Sequence, residues 1–259
     1  IPCYLELGGK DPVIVTESAD LERATTAVLR GAVHANGMVC FSVERIYVAE
    51  AIHDAFVKLL IEKAEKVRLN SDNPRAGHSH PFTFAPQAGI VEKQLADAAG
   101  KGATILTGGK TEEIGGGLYM RPTVVTGVNH EMALMQDETF GPILPVMPFK
   151  TIEEAIALAN DTSFGLTANV IAGSDEEAMA IGLQLNAGSV FMQDTFLTFA
   201  KNRTVGSNAF GNSGVGGGSR TGPEAILRYV RRKALLTQHG DVADIQNDHH
   251  LGKPGGPPA

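Results

Sequence analysis

Pro12-Val13-Ile14-Val15-Thr16-Glu17-Ser18-Ala19-Asp20-Leu21, with Ala24, Val28 and Ala32 beyond it and then Glu44-Arg45-Ile46-Tyr47-Val48-Ala49, decides the fold class. The run 12–15 is short, apolar and β-branched, as a buried strand requires. Asp20 stands where a helix N-cap belongs, and Leu21, Ala24, Val28 and Ala32 recur at helical spacing behind it. The segment 44–49 is a second strand, rich in β-branched and aromatic residues. Two strands joined by a helix of this length are parallel, and the crossover is right-handed.

The same alternation continues down the chain. Ile52, Phe56, Leu59, Leu60 and Val67 predict a helix; residues 70–86, with four prolines or glycines at Pro74, Gly77, Pro81 and Pro86, predict a loop; and 87–99 predict a further helix. Residues 103–106 read as a strand, Gly108-Gly109 and 115–117 as the turns of a hairpin-like excursion, and 122–125 as extended chain. A strand at 143–149 precedes Thr151-Ile152-Glu153-Glu154, a capping box opening a helix over 152–160. Residues 167–172 form a strand, Ser174-Asp175-Glu176-Glu177 a second capping box, and Ala178, Ile181 and Leu185 the buried stripe of its helix; 188–192 close the series. The expected fold is α/β, a mainly parallel open sheet with helices on both faces. Residues 206–222 hold seven glycines, then come a helix over 223–232, a strand-like 234–238 and, from 241, a Pro/Gly-ended tail predicted to be disordered.

With 259 residues the chain can bury a sizeable core. A formal charge of −7 argues against a nucleic-acid or anionic-membrane partner, each of which needs a cationic surface. Two cysteines, Cys3 and Cys40, outside any CxxC pair fit a reducing, cytoplasmic setting better than a disulfide scaffold. No apolar run reaches the roughly 20 residues of a membrane-spanning helix. The opening Ile1, with Leu5-Glu6-Leu7 reading as the end of a strand already under way, suggests a piece of something longer.

The chemistry-bearing residues are few. Cys40 follows a helix and a glycine turn, the setting of a nucleophilic thiol, whereas Cys3 reads as structural. Glu6-Leu7-Gly8-Gly9-Lys10 lies 34 residues before Cys40, and Glu138-Thr139-Phe140-Gly141-Pro142 comes much later. With Arg121-Pro122-Thr123, Glu154-Ala155-Ile156, Ala159-Asn160, Gly165-Leu166, Ala187-Gly188 and Ser213-Gly214, these segments resemble, in order and over nearly the whole chain, the C-terminal catalytic half of NAD(P)-dependent aldehyde dehydrogenases. The resemblance implies Cys40 as nucleophile and Glu6 as general base in a partly desolvated cleft. It implies NAD or NADP as cofactor, held by the Leu7 backbone, Gly8, Glu138 on the nicotinamide ribose, and Phe140 beside it. Glycine at 8 and 9 has its own reason, since no β-carbon blocks a flat ligand there, and an ionised carboxylate suits a diol. No metal is implied; His78-Ser79-His80 lacks a third ligand nearby, and Gly214–Ser219 lacks the lysine of a phosphate loop.

The resemblance also divides the chain. Residues 1–10 end a cofactor-binding domain whose remainder, in the same or another chain, would precede them; 11–213 are the catalytic domain, 214–240 a return helix and oligomerisation strand, and 241–259 the tail. A homo-oligomer and an aldehyde substrate follow as expected partners. The sequence departs from the family at Met38, where a glutamine is usual, at Ala35, where an asparagine is frequent, and at Phe210-Gly211-Asn212-Ser213-Gly214, which lacks a lysine. Met38 and Ala35, with Phe41, Phe196 and Phe199, shift the expected substrate towards apolar aldehydes. Besides the dehydrogenase, an assembly or binding module and a cofactor-independent thiol esterase remain open readings.

Overall fold

The computed structural model describes residues 3–71, 77–197, 205–216, 221–230, 233–237 and 239. The strands and helices are, in order, β1 Leu5–Glu6, β2 Asp11–Val15, α1 Leu21–Val33, β3 Val43–Ala49, α2 His53–Ala64, α3 Pro86–Gly100, β4 Thr104–Ile105, β5 Thr111–Ile114, β6 Gly117–Met120, β7 Thr123–Thr126, α4 Ala133–Gln136, β8 Ile143–Phe149, α5 Ile152–Asn160, β9 Phe164–Gly165, β10 Thr167–Ile171, α6 Asp175–Gly182, β11 Ser189–Met192, β12 Phe210–Gly211 and β13 Gly214–Val215. Short 3-10 turns cover His34–Gly37, Glu50–Ile52 and Pro223–Tyr229.

Seven strands form one sheet in the order β11-β10-β2-β3-β8-β7-β4, parallel throughout except for the edge pair β4 and β7. Strand periodicity splits its side chains between two cores. Val13, Val15, Ile46, Val48, Leu144 and Val146 pack with α1 and α2 on one face, while Ile14, Tyr47, Val125 and Ile143 pack with α3 to α6 on the other. Helices therefore cover both faces, as a parallel sheet demands.

Several element ends shift, as in α3, Pro86–Gly100 against the expected 87–99, and three features differ further. The strand expected over 103–106 shrinks to the two residues of β4, because it is an edge strand paired on one side only. The capping boxes are displaced by one residue. Thr151 and Ser174 do accept from the amides of Glu154 and Glu177, but Glu154 reaches back to the Lys150 amide (2.7 Å) and Glu177 to that of Gly173 (3.3 Å). The helix expected over 223–232 is a 3-10 turn, Pro223–Tyr229, among the described residues. Residues 241–259 lie outside the described residues.

Internal packing groups residues 1–225 in one compact unit and 226–259 in a second. In the second, residues 233–237 have no strand partner, and Leu235 and Leu236 are 83% and 91% exposed. The strand expected at 234–238 is thus not formed by the described residues, since a strand exists only with a neighbour to bond.

Asp20 caps α1 as predicted, its Oδ1 accepting from the Arg23 amide at 2.7 Å. Asp20→Ala is expected to lower stability by about 1 kcal/mol in urea denaturation; an unchanged midpoint would mean that α1 is held by packing alone.

Candidate active site

β2, β3, β8 and β10 are mutually parallel neighbours, so their amino ends lie along one edge of the sheet. Gly8-Gly9 directly precede β2, Cys40 precedes β3, Glu138-Thr139-Phe140 precede β8 and Gly165-Leu166 precede β10. Segments far apart in sequence meet for that reason. A β-carbon on Gly9 would stand 2.5 Å from the Cys40 carbonyl oxygen and 2.7 Å from Asp11 Oδ1, and one on Gly8 would stand 2.3 Å from Glu138 Oε2. The Gly9 amide donates to Glu138 Oε1 at 3.1 Å. Glycine is required at 9, where backbone occupies the space of a side chain, while at 8 a side chain would displace the Glu138 carboxylate. Gly37, with φ of 71°, ties the cysteine turn to the same loop, for a β-carbon there would meet the Gly141 carbonyl oxygen at 2.3 Å.

A buried ionic network locks these segments together. Lys10 Nζ bonds Glu44 Oε2 and Thr139 Oγ1, both at 2.8 Å, and Glu44 accepts from the amides of Thr139 and Phe140, again at 2.8 Å. Lys10 and Glu44 are buried. Glu44 thereby supports the left-handed backbone of Phe140 (φ 52°), a conformation costing on the order of 1 kcal/mol for a residue with a β-carbon. Gln87 bonds the Thr139 carbonyl at 2.7 Å and Gln94 that of Glu138 at 3.2 Å. Beside them the fully buried Arg45 donates to the Lys10 carbonyl and to the Leu158 and Ala159 carbonyls at the end of α5. Its charge offsets the negative end of that helix. Asp11 accepts from the Thr167 hydroxyl and amide, and burial pushes its carboxyl well above the usual carboxylate range.

Cys40 is half-buried and packs with Val39 and Phe196 against Phe41, Leu166 and Ala209. This apolar surrounding raises its thiol above the ordinary cysteine value, and the carboxylates of Asp11, Glu6 and Glu138 push it further the same way. At rest the thiol is protonated. The backbone before it runs through three left-handed residues, Ala35, Asn36 and Gly37. The Asn36 Oδ1 accepts from Ser79 Oγ at 2.6 Å, and the Met38 sulfur accepts from the Thr83 amide at 3.4 Å. Met38 therefore anchors the following loop.

Glu6 lies on β1, paired antiparallel with β13, and the Leu7 amide donates to the Ser213 carbonyl at 3.0 Å. The buried Ser213 also binds the Gly165 amide through its hydroxyl, so Ser213-Gly214 holds the Glu6 segment in register. Glu6 is exposed in this chain, on a two-residue strand of a two-stranded ribbon. Its charge still reaches Cys40. Glu138 is half-buried and held above the usual carboxylate range mainly by desolvation. With Met38, Phe84, Gln87, Ile90 and Phe140 it lines an open groove of about 660 Å³.

The structure thus brings together Cys40, Leu7, Gly8, Glu138 and Phe140, with Glu6 at the margin. Cys3, read as structural, is exposed and outside any strand. His78 accepts from the Arg68 amide, and His80 bonds Asn70. Phe199 lies outside the described residues. Sequence reasoning passed over Lys10 as an ion-pair partner, Asp11, Glu44 and Arg45. The signal was there: charged side chains inside or beside apolar strand runs must be buried and therefore paired.

The family profile described as "Aldehyde dehydrogenase family" matches residues 1–235. A Mycolicibacterium smegmatis protein carrying the provisional name succinate-semialdehyde dehydrogenase [NADP(+)] is 37% identical over 232 residues, 90% of this chain and 44% of that protein. The lactaldehyde dehydrogenase of Escherichia coli is 35% identical over 90% of this chain and 48% of its own. Among solved structures, an Anabaena variabilis protein provisionally named aldehyde dehydrogenase PutA superposes with a TM-score of 0.88 at 50% identity, covering 95% of this chain and 52% of that one. A betaine aldehyde dehydrogenase of Staphylococcus aureus, solved in complex with NAD+, superposes at 0.81 with 33% identity, over 87% of this chain and 44% of its own. The chain spans about half the length of the relatives it matches. It belongs to the aldehyde dehydrogenase family.

Proposed function

We propose that this chain supplies the catalytic half of an enzyme oxidising an aldehyde to a carboxylic acid with NAD+ or NADP+. The observation that carries the reading is the meeting of three segments, with Gly9 pressed on the Cys40 carbonyl and its amide bonded to Glu138. The Cys40 thiol gives its proton to solvent, the thiolate adds to the aldehyde carbon, and the tetrahedral adduct loses a hydride to leave a thioester on Cys40. The nicotinamide, when bound, is the hydride acceptor. Leu7 and Gly8 would offer backbone to it, and Glu138 and Phe140 line the groove in which its ribose would lie. That fit is reasonable. The groove is open, and Glu138, whose carboxylate among the described residues bonds the Gly9 amide, can exchange that partner for a diol. Glu6, on the exposed side, takes the proton of the water that hydrolyses the thioester. Asp11 is already committed to Thr167.

The test is NAD(P)+-dependent aldehyde oxidation by the chain in its full-length context. Glu6→Gln is expected to leave a first-turnover burst of reduced cofactor and to slow steady turnover by about 10²–10⁴-fold. Unchanged steady turnover would remove Glu6 from the mechanism. A homo-oligomer is proposed as well, supported by the exposed Leu235 and Leu236; a monomer in light scattering would overturn it.

A further inference from the structure

Asp11 is a buried carboxyl beside the thiol that the proposed mechanism leaves idle. It opens β2, where the ladder to β10 stops short: Val13, Ile14 and Val15 pair with Asn169, Val170 and Ile171, and side chains continue the join from there. Asn169 Nδ2 donates to the Pro12 carbonyl at 3.0 Å, the Thr167 amide donates to Asp11 Oδ1 at 3.2 Å, and the Thr167 hydroxyl donates to Asp11 Oδ2. Towards β3 the register shifts between Asp11 and Pro12, an irregularity of the kind that re-aims a side chain. The carboxyl stands beside the contact of Gly9 with Cys40, for the same absent β-carbon of Gly9 that would meet the Cys40 carbonyl oxygen at 2.5 Å would lie 2.7 Å from Asp11 Oδ1.

These bonds converge on a short piece of chain. Thr167 follows Leu166, which packs with Phe41 and Ala209 in the apolar cluster that Val39, Cys40 and Phe196 join. One residue earlier, the Gly165 amide donates to Ser213 Oγ at 3.0 Å, and the Ser213 carbonyl accepts from the Leu7 amide. Leu166 is thus fixed on either side, at 165 by the residue that registers the Glu6 segment and at 167 by the residue that follows Gly8-Gly9-Lys10. A buried carboxyl is a costly way to join two strands that already share a ladder. Among the described residues no cation pairs with Asp11, since Lys10 is taken by Glu44 and Arg45 by backbone carbonyls. A β-branched apolar residue would extend the strand without that cost. A locally unfavourable group kept where two walls of the thiol site meet points to a use in the site.

We propose that Asp11 is a positioning residue of the thiol site: through Thr167 it holds Leu166 against Cys40, and so limits the bulk of the aldehyde that reaches the sulfur. It takes no proton in the reaction. The proposal rests on Cys40 being the thiol that adds to the aldehyde. Asp11→Ala removes both acceptors of Thr167 at once and frees Leu166 to move away from the thiol. Asp11→Asn keeps a carbonyl oxygen for the Thr167 amide and an N–H for its hydroxyl, and so keeps Leu166 in place.

The test is made on the full-length protein by alkylating Cys40 with iodoacetamide or with the bulkier iodoacetanilide, read by mass spectrometry of the Cys40 peptide. The parent is expected to favour the smaller reagent about tenfold more than free cysteine does, the scale on which an apolar wall discriminates size. In Asp11→Ala that extra preference falls towards unity, and in Asp11→Asn it is kept. Thr167→Val, which loses the hydroxyl alone, falls between and carries the test if Asp11→Ala does not fold. Turnover follows the same pattern, with kcat/KM for propanal over 3,3-dimethylbutanal dropping in Asp11→Ala by about the same tenfold factor. Leu166→Ala lowers the ratio by itself, and adding Asp11→Ala changes it no further, as when one residue acts through the other. A residue that only stabilised the fold would slow both reagents alike. An unchanged ratio in Asp11→Ala or Thr167→Val, or additive effects of Asp11→Ala and Leu166→Ala, overturns the proposal while leaving Cys40 as nucleophile. If Cys40→Ala oxidises aldehydes as the parent does, the nucleophile reading falls and this one with it.

Discussion

Cys40→Ala is expected to reduce aldehyde oxidation by the full-length enzyme at least about 10⁴-fold, the scale of losing a covalent nucleophile. The fold should survive, because the half-buried thiol makes no bond on which the β2–β3 junction depends; that junction is tied by Lys10, Glu44 and Thr139. Urea denaturation of the variant checks the second point and turnover the first. Residual activity within tenfold of the parent would move the nucleophile elsewhere. The parent also has a pH signature. Apolar packing and three carboxylates favour the protonated thiol, so alkylation should keep climbing above the pH at which a free cysteine levels off. Removing one of those negative charges, as in Glu6→Gln, should shift the profile to lower pH. A profile that moves upward would mean that Glu6 stabilises the thiolate, contrary to the sign expected of like charge.

Glu44→Ala is expected to be the most destabilising single change near the site, by about 3–5 kcal/mol. It leaves the ammonium of Lys10 buried without its counter-charge and takes the acceptor from the amides of Thr139 and Phe140. Against a total stability of roughly 5–15 kcal/mol this is a large share. Burial already lowers the Lys10 pKa, and Glu44 opposes that shift. In the variant, therefore, the unfolded chain binds the lysine proton better than the folded one. The loss is greatest below the depressed pKa and shrinks as pH rises towards the ordinary lysine value. Glu44→Gln, which keeps an acceptor but no charge, should fall between. A loss below about 1 kcal/mol, or one independent of pH, would show that Lys10 finds water or another partner.

These two variants mark different kinds of legibility. Cys40, Glu6 and Glu138 stand in short motifs whose residue types suggest their chemistry, and the strands and helices around them follow from apolar period and caps. β8 and α5 have the bounds expected from sequence, because β8 is a continuous apolar run after Pro142 and α5 a periodic run opened by the Thr151 cap. Glu44 sat in plain view at the head of a strand, but its function depends on Lys10 and Thr139, 34 and 95 residues away. The edge strand β4 is shorter than its apolar run, and 233–237 has no strand partner among the described residues, since both depend on neighbours that local pattern does not specify.

By itself the sequence determined the α/β alternation, the parallel sheet and the choice of candidate reactive groups, because hydrophobic period, capping and side-chain chemistry are local properties. The meeting of those groups was decided by tertiary structure alone. The strand order places β10, β2, β3 and β8 side by side and parallel, so the residues just before each strand share one edge. The exposure of Glu6 and the protonated state of Cys40 belong to the same category. Each depends on solvent access or on charge across space, and both are set by residues distant in the chain.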